Sequence, residues 1–154
     1  MPRGSAANTE DPEPDDGEIE FELVTSVRQL AAPPPLRHEA VTLDEWKTAN
    51  GRAARFMLWE LTALDYADFY EEGRIYRDGV ITGYDAKAED IRFLAYTIRD
   101  QHNNRLWTKV ADARAQLGNL GKASLNVLLN AANRCNAPKE SSAEGNSSET
   151  QSDS

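Results

Sequence analysis

Residues 91–118 read IRFLAYTIRDQHNNRLWTKVADARAQLG, and the division of this stretch into elements decides the fold. Ile91, Leu94, Ala95 and Ile98 recur at i, i+3, i+4 and i+7, the spacing of one buried helical stripe. Asp85 is placed to cap that helix. Glu89 and Asp90 near its start and Arg99 near its end suit the helix dipole. Asp100 to Asn104 are then five polar residues, read as a turn because Asn tolerates left-handed backbone angles. Leu106 and Trp107 return the chain to the core, and Thr108 is placed to cap VADARAQL. Gly118 and Gly121 punctuate the loop to a last helix, KASLNVLLNAANRCN, whose stripe is Leu125, Leu128, Leu129 and Ala132, continued by Cys135. On this division residues 100–104 join two helices.

Upstream, VTLDEW (41–46) and RFMLWEL (55–61) are β-inclined runs on either side of Asn50-Gly51, which predicts a hairpin with a longer loop than the tight turns Asn-Gly favours. Thr62 and Asp65 resemble a capping box opening ALDYADFYEEG, with Gly73 at its end. RIYRDGVITGYD contains Asp78-Gly79 and Gly83, and reads as a second small hairpin or a plain loop. Ile19 to Val24 alternate apolar and acidic residues, a short strand signal, and Ala31 to Pro35 read as an extended polyproline spacer. The fold class expected is mainly α: a compact helical domain with a small N-terminal β-hairpin element and disordered acidic tails.

The charge sits at the ends. Of a formal net −9, residues 10–22 contribute eight acids and no base, and residues 137–154 four acids and one lysine. Residues 23–136 hold 14 acids and 15 bases. Low hydrophobicity with Ser, Glu, Pro and Gly does not offset the entropy of ordering. The expected organisation is therefore a disordered N-terminal segment over 1–35, a folded domain over 36–136 and a disordered tail over 137–154. No dense basic patch meets the need of a phosphate backbone, so nucleic acid is not an expected partner. No apolar run approaches the roughly 20 residues of a membrane span, and no secretory leader is apparent at the N-terminus. A soluble, cytosolic chain is expected.

Catalytic signatures are lacking in the sequence. Asp44-Glu45, Glu71-Glu72 and Glu89-Asp90 are adjacent pairs whose side chains do not face one another on a helix, and they read as solvated faces. His38 and His102 fall in expected loops without a nucleophile motif around them. Cys135, the only cysteine, lies on a buried stripe as a small hydrophobe. No catalytic residue, cofactor-binding residue or metal site is expected, and the chain is not expected to be an enzyme. The aromatic residues, Trp46, Trp59, Phe69, Tyr70, Phe93 and Trp107, are either core or part of a groove for a partner helix. The candidate partner-binding residues are Trp107, Leu120, Leu125, Leu128, Leu129 and Ala132, which are equally placed to be core.

Two segments resemble a known family. WELTALDYADFYE (59–71) resembles the segment that opens the core of G-type tail assembly chaperones of long-tailed, siphovirus-like phages and prophages. FLAYTIRDQHNNRLWTKVADARAQLGNLGKASLNVLLNAANRCN (93–136) is similar to that family's later run. Asp100 matches the acidic turn, Leu106-Trp107-Thr108 the Leu-Phe-Thr, and Leu117-Gly118 the following loop, before a helix that ends near an Asn. The chain departs from the pattern where Gln101 to Asn104 replace a turn that more often holds Asp and Gly, and where Lys109 stands in place of a common acid. The resemblance implies a non-enzymatic factor that binds the helical tape measure protein in the host cytoplasm and keeps it soluble until the tail tube polymerises around it. It also implies self-association and absence from the mature virion. A longer form made by −1 ribosomal frameshifting would dock the tail tube protein; Ala137-Pro138-Lys139 can be encoded as GCC CCA AAG, a slippery pattern. The alternative is a structural phage component such as a head–tail connector or minor tail protein.

Overall fold

The computed structural model describes residues 20–138. The acidic stretch through Ile19 and the Ser-rich end beyond Pro138, both expected to be disordered, lie outside the described residues. The chain divides into two units between Pro34 and Pro35.

In the first unit, Ser26 caps a 3-10 turn, Val27–Gln29, with a reciprocal box in which the Gln29 side chain accepts from the Ser26 backbone. Gln29 also accepts from Thr25 N at 2.7 Å and donates to Glu22 at 3.0 Å. The expected strand over Ile19 to Val24 does not form across its described part, Glu20 to Val24. Phe21 and Leu23 remain 88% and 83% exposed. Alternation alone does not make a strand, which needs a neighbour for its backbone and a surface for its apolar face.

The second unit opens with β1 (His38–Lys47) and β2 (Ala53–Trp59), the expected hairpin. They pair antiparallel from His38↔Trp59 to Leu43↔Ala54, and the register shifts before Lys47↔Ala53. Gly51, at φ 79°, lies in the loop. Thr62 and Asp65 make both halves of a capping box that starts α1 (Ala63–Gly73). Then β3 (Arg74–Arg77) and β4 (Val80–Tyr84) form a separate two-stranded sheet. Asp78 and Gly79, at φ 54° and 79°, supply the two left-handed residues such a turn requires. α2 (Glu89–Thr97) passes directly into β5 (Ile98–Arg99), which pairs with β2, so the larger sheet has the order β1-β2-β5. α3 (Val110–Leu117) and α4 (Lys122–Asn136) follow.

The mainly-α expectation is thereby corrected. Among the described residues, four helices and five strands in two sheets, 39% helix and 24% strand, make an α/β fold. The deciding point is the end of α2. Thr97 turns its hydroxyl back onto the carbonyls of Phe93 and Leu94, and Ile98 leaves the helix with φ −82° and ψ 116°. Ile98 is as buried as a helical stripe would make it, but on a strand, opposite Leu58. Two expected caps are also corrected. Asp85 does not cap α2, because the helix starts later, after Ala88; the Asp85 backbone N–H donates to the Gly73 carbonyl at 2.7 Å. Thr108 does not cap α3, whose N-cap is Lys109 without a side-chain bond.

One face of the larger sheet carries Val41, Leu43, Ala54, Phe56 and Leu58, and α4 lies along β1 and β2. α2 packs against α1, α3 and α4. Leu58, Leu94, Ile98, Leu117 and Leu128 are the centre of this core. Asn136 ties the end of α4 to the corner between β2 and α1: its side chain accepts from Leu61 N at 2.8 Å and donates to the Trp59 carbonyl.

Gly73 marks a close approach. A Cβ there would come within 2.5 Å of Arg92 Nη2 and of the Tyr84 ring. Gly73→Ala is expected to destabilise the protein by about 1–3 kcal/mol, the usual cost of overpacking, read as a lower urea midpoint at unchanged slope. A variant as stable as the parent would show that Arg92 and Tyr84 yield freely.

Candidate partner-binding surface

Backbone geometry after β5 follows from Asp100. Its carboxylate accepts from the backbone N–H groups of His102 (2.8 Å) and Asn104 (2.9 Å), and its own N–H donates to the Asn104 carbonyl. Asn103 takes φ 68°, as an Asn can at low cost. Arg105 then bridges back to Arg99. The pentapeptide is therefore a strand turn, which corrects its reading as a joint between helices. The Asn104 N–H, and after it that of His102, hold the Asp100 carboxyl below its ordinary value.

Around this turn the two separated segments of the resemblance meet. The Trp59 indole N–H donates to the Asp100 carbonyl at 3.1 Å. The Arg99 guanidinium, 8% exposed, lies 3.4 Å from Asp65, the carboxylate that completes the α1 capping box. Arg99 also donates to the Tyr96 carbonyl and to Asn103. Arg105 stacks over the Tyr96 ring at 4.0 Å. Burial, with the hydrogen bond to Glu72, pushes the Tyr96 phenol up to about 12.

The outer face of the larger sheet carries His38, Ala40 and Thr42 opposite Trp59, Met57 and Arg55. His38 is the first residue of β1, not a loop residue, and stacks on Trp59 at 4.6 Å. Arg55 donates to Thr42. A cleft of about 290 Å³ opens here between Ala40, Arg55 and Met57 and, beyond the turn, the half-exposed Leu106. The surface is shallow and mixed: a thioether, aliphatic groups, two imidazole–indole rings and guanidinium charge.

The expected partner-binding residues divide by burial. Leu128 and Ala132 are fully buried and belong to the core; Leu129, 9% exposed, packs in the same core and lines the cleft between α1, α2 and α4. The reason is that α4 spends its stripe on the sheet. Leu125 is half-buried against the same core. Trp107 is half-buried and its indole N–H donates to Gln116 at 2.7 Å. Leu120 lines a second open cleft of about 380 Å³, with Trp46 and Gln116. The sequence patterns single out neither Ala40 nor Met57, and Leu106, expected to return to the core, is 50% exposed instead. The available signal was the register of the hairpin, which fixes Ala40 and Met57 on the face opposite Val41 and Leu58.

No family model, curated protein or solved structure matches this chain. The acidic pairs have separate surroundings. Glu71 holds Arg74 and Tyr76, Glu72 accepts from Tyr96, and Glu45 accepts from Ser124. Burial raises the Cys135 thiol. Among the described residues, His, Cys, Asp and Glu form no group able to hold a metal ion, and no helix is long and apolar enough to cross a membrane.

Asp100 makes the turn sensitive to acid. A carboxyl depressed in the folded state stabilises above its unfolded value and loses that contribution as pH falls through the folded one. Asp100→Ala is expected to lower Tm at pH 5–7, with the gap to the parent narrowing below the unfolded value of about 3.9. Thermal melts from pH 7 to pH 3 check this. An equal gap at every pH would mean that the ionised carboxylate is not what holds the turn.

Proposed function

We propose that this protein is a tail assembly chaperone of a long-tailed phage or prophage, binding the tape measure protein in the host cytoplasm and keeping it soluble until the tube forms. The observation that carries the reading is the meeting of the two resembling segments. Trp59 to Asp65 and Arg99 to Thr108 are far apart in sequence, yet interlock through Trp59–Asp100 and Asp65–Arg99. Residues that match a family pattern across such a gap and then support one another are what a shared fold requires.

The physics of the task suits the surface beside them. A long amphipathic helix alone in water exposes an apolar stripe and aggregates. An open sheet face with Met57, Ala40 and Leu106 at its centre offers apolar contact, and methionine adapts to varied side chains. Arg55 and the His38–Trp59 pair keep the same face wettable when it is empty. Many copies would cover one partner, and a frameshifted longer form would bring the tail tube protein to it. The protein would then leave the assembly before the virion is complete.

Co-expression with the long, helix-rich protein encoded downstream tests the proposal. Expected is a soluble partner that co-elutes with this chain in large multimers and is insoluble alone. Met57→Glu should reduce the co-eluting partner about tenfold, equivalent to about 1.4 kcal/mol, with an unchanged melting curve. A partner indifferent to this chain, together with the chain's presence in purified virions, overturns the proposal in favour of a structural component such as a connector or minor tail protein.

A further inference from the structure

A third cleft lies away from the open sheet face, where α1, α2 and α4 meet, with a volume of about 210 Å³. Its floor is Phe69, 2% exposed. Tyr66, Tyr70 and Phe93 stand around that ring, with centroids 6.2, 5.1 and 5.7 Å from it and planes at 86°, 63° and 64° to it. The rim carries Glu89 and Asp90. Neither carboxylate has an ion-pair partner among the described residues.

We propose that this cleft binds the ammonium end of a lysine side chain presented by a protein partner. An aromatic face attracts a cation through its quadrupole, and the attraction grows as the cation loses water. Tyr66 and Tyr70, the more exposed rings beside the cleft, offer that attraction, and the two carboxylates at its rim supply the charge that an ammonium losing water needs. The same chemistry already operates inside the fold: Arg92 sits 5.1 Å from the Phe69 centroid, and Arg105 sits 4.0 Å from that of Tyr96. Those two guanidiniums are internal. At the cleft Phe69 and Phe93 are buried, and Tyr70, 47% exposed, is the ring left open. A purely apolar side chain would fill the space but leave the rim carboxylates facing it, so the site discriminates by charge as well as shape. The proposal does not depend on which protein carries the lysine.

The test uses the full chain and a blocked peptide, Ala-Ala-Lys-Ala-Ala, against the same peptide with norleucine in place of lysine. The lysine peptide is expected to shift the ring resonances of Tyr66, Tyr70 and Phe93 saturably, and the norleucine peptide to bind at least about tenfold more weakly. Tyr70→Phe keeps the quadrupole and should keep binding, whereas Tyr70→Leu should weaken it about fivefold. Asp90→Asn, at an exposed position, should weaken it too and reduce its salt dependence, and stands in should Tyr70→Leu fail to fold. Equal response to the two peptides, no response to either, or full affinity in Asp90→Asn and Tyr70→Leu overturns the proposal. Solubility of a tape measure partner with Tyr70→Leu would then leave the chaperone reading intact, so the two fail separately.

Discussion

The pairing of Ile98 with Leu58 is the contact on which the second unit depends. Both residues are fully buried, and each needs the other's element in place. Leu58 sits mid-sheet only if β5 covers the far edge of β2. Ile98 reaches it only if α2 ends at Thr97 and the backbone becomes extended. That change of geometry delivers Arg99 to Asp65 and the Asp100 carbonyl to Trp59. It also starts the turn after which the single bridge at Arg105 brings Leu106 to the cleft on the sheet's outer side. A two-residue strand contributes few hydrogen bonds, so its weight comes from position: it locks the hairpin, the start of α1 and the end of α2 together.

This pivot is also where the sequence was hardest to read. Leu94, Ala95 and Ile98 satisfy the helical period whether Ile98 is the last residue of a helix or the first of a strand, because burial is all the period reports. Two residues of strand have no period of their own. The signals present were chemical: the β-branched pair Thr97-Ile98 just before a turn, and an Asp placed to accept from backbone N–H groups two and four residues on. Where periodicity ran long enough, it served well. The β1–β2 hairpin, the Thr62–Asp65 box and the α4 stripe are all legible. Caps were less so, since Asp85 has the right chemistry for a cap but the helix starts only after Ala88.

Core and contact surface were confused for a related reason. An apolar stripe names the buried side of a helix but not what buries it. With a mainly helical expectation, Leu128, Leu129 and Ala132 were equally placed to be core or to meet a partner. With a sheet beneath α4, they are spent. The sheet transfers the open surface from the helices to its own outer face, where Ala40 and Met57 are too few to read as a stripe.

A three-stranded antiparallel sheet needs only one covered face, and its other face is tolerable in water if polar groups interrupt it. Here Thr42–Arg55 and His38–Trp59 flank Ala40–Met57 along the β1–β2 register, so the apolar centre stays small. The edge is managed as well. The second half of β1 carries Asp44, Glu45 and Lys47 and an irregular register, features that discourage a further strand from pairing there. These features leave the face, rather than that part of the edge, as the open surface of the sheet. A face recognises side chains and suits a helix, whereas an edge recognises backbone and invites strands.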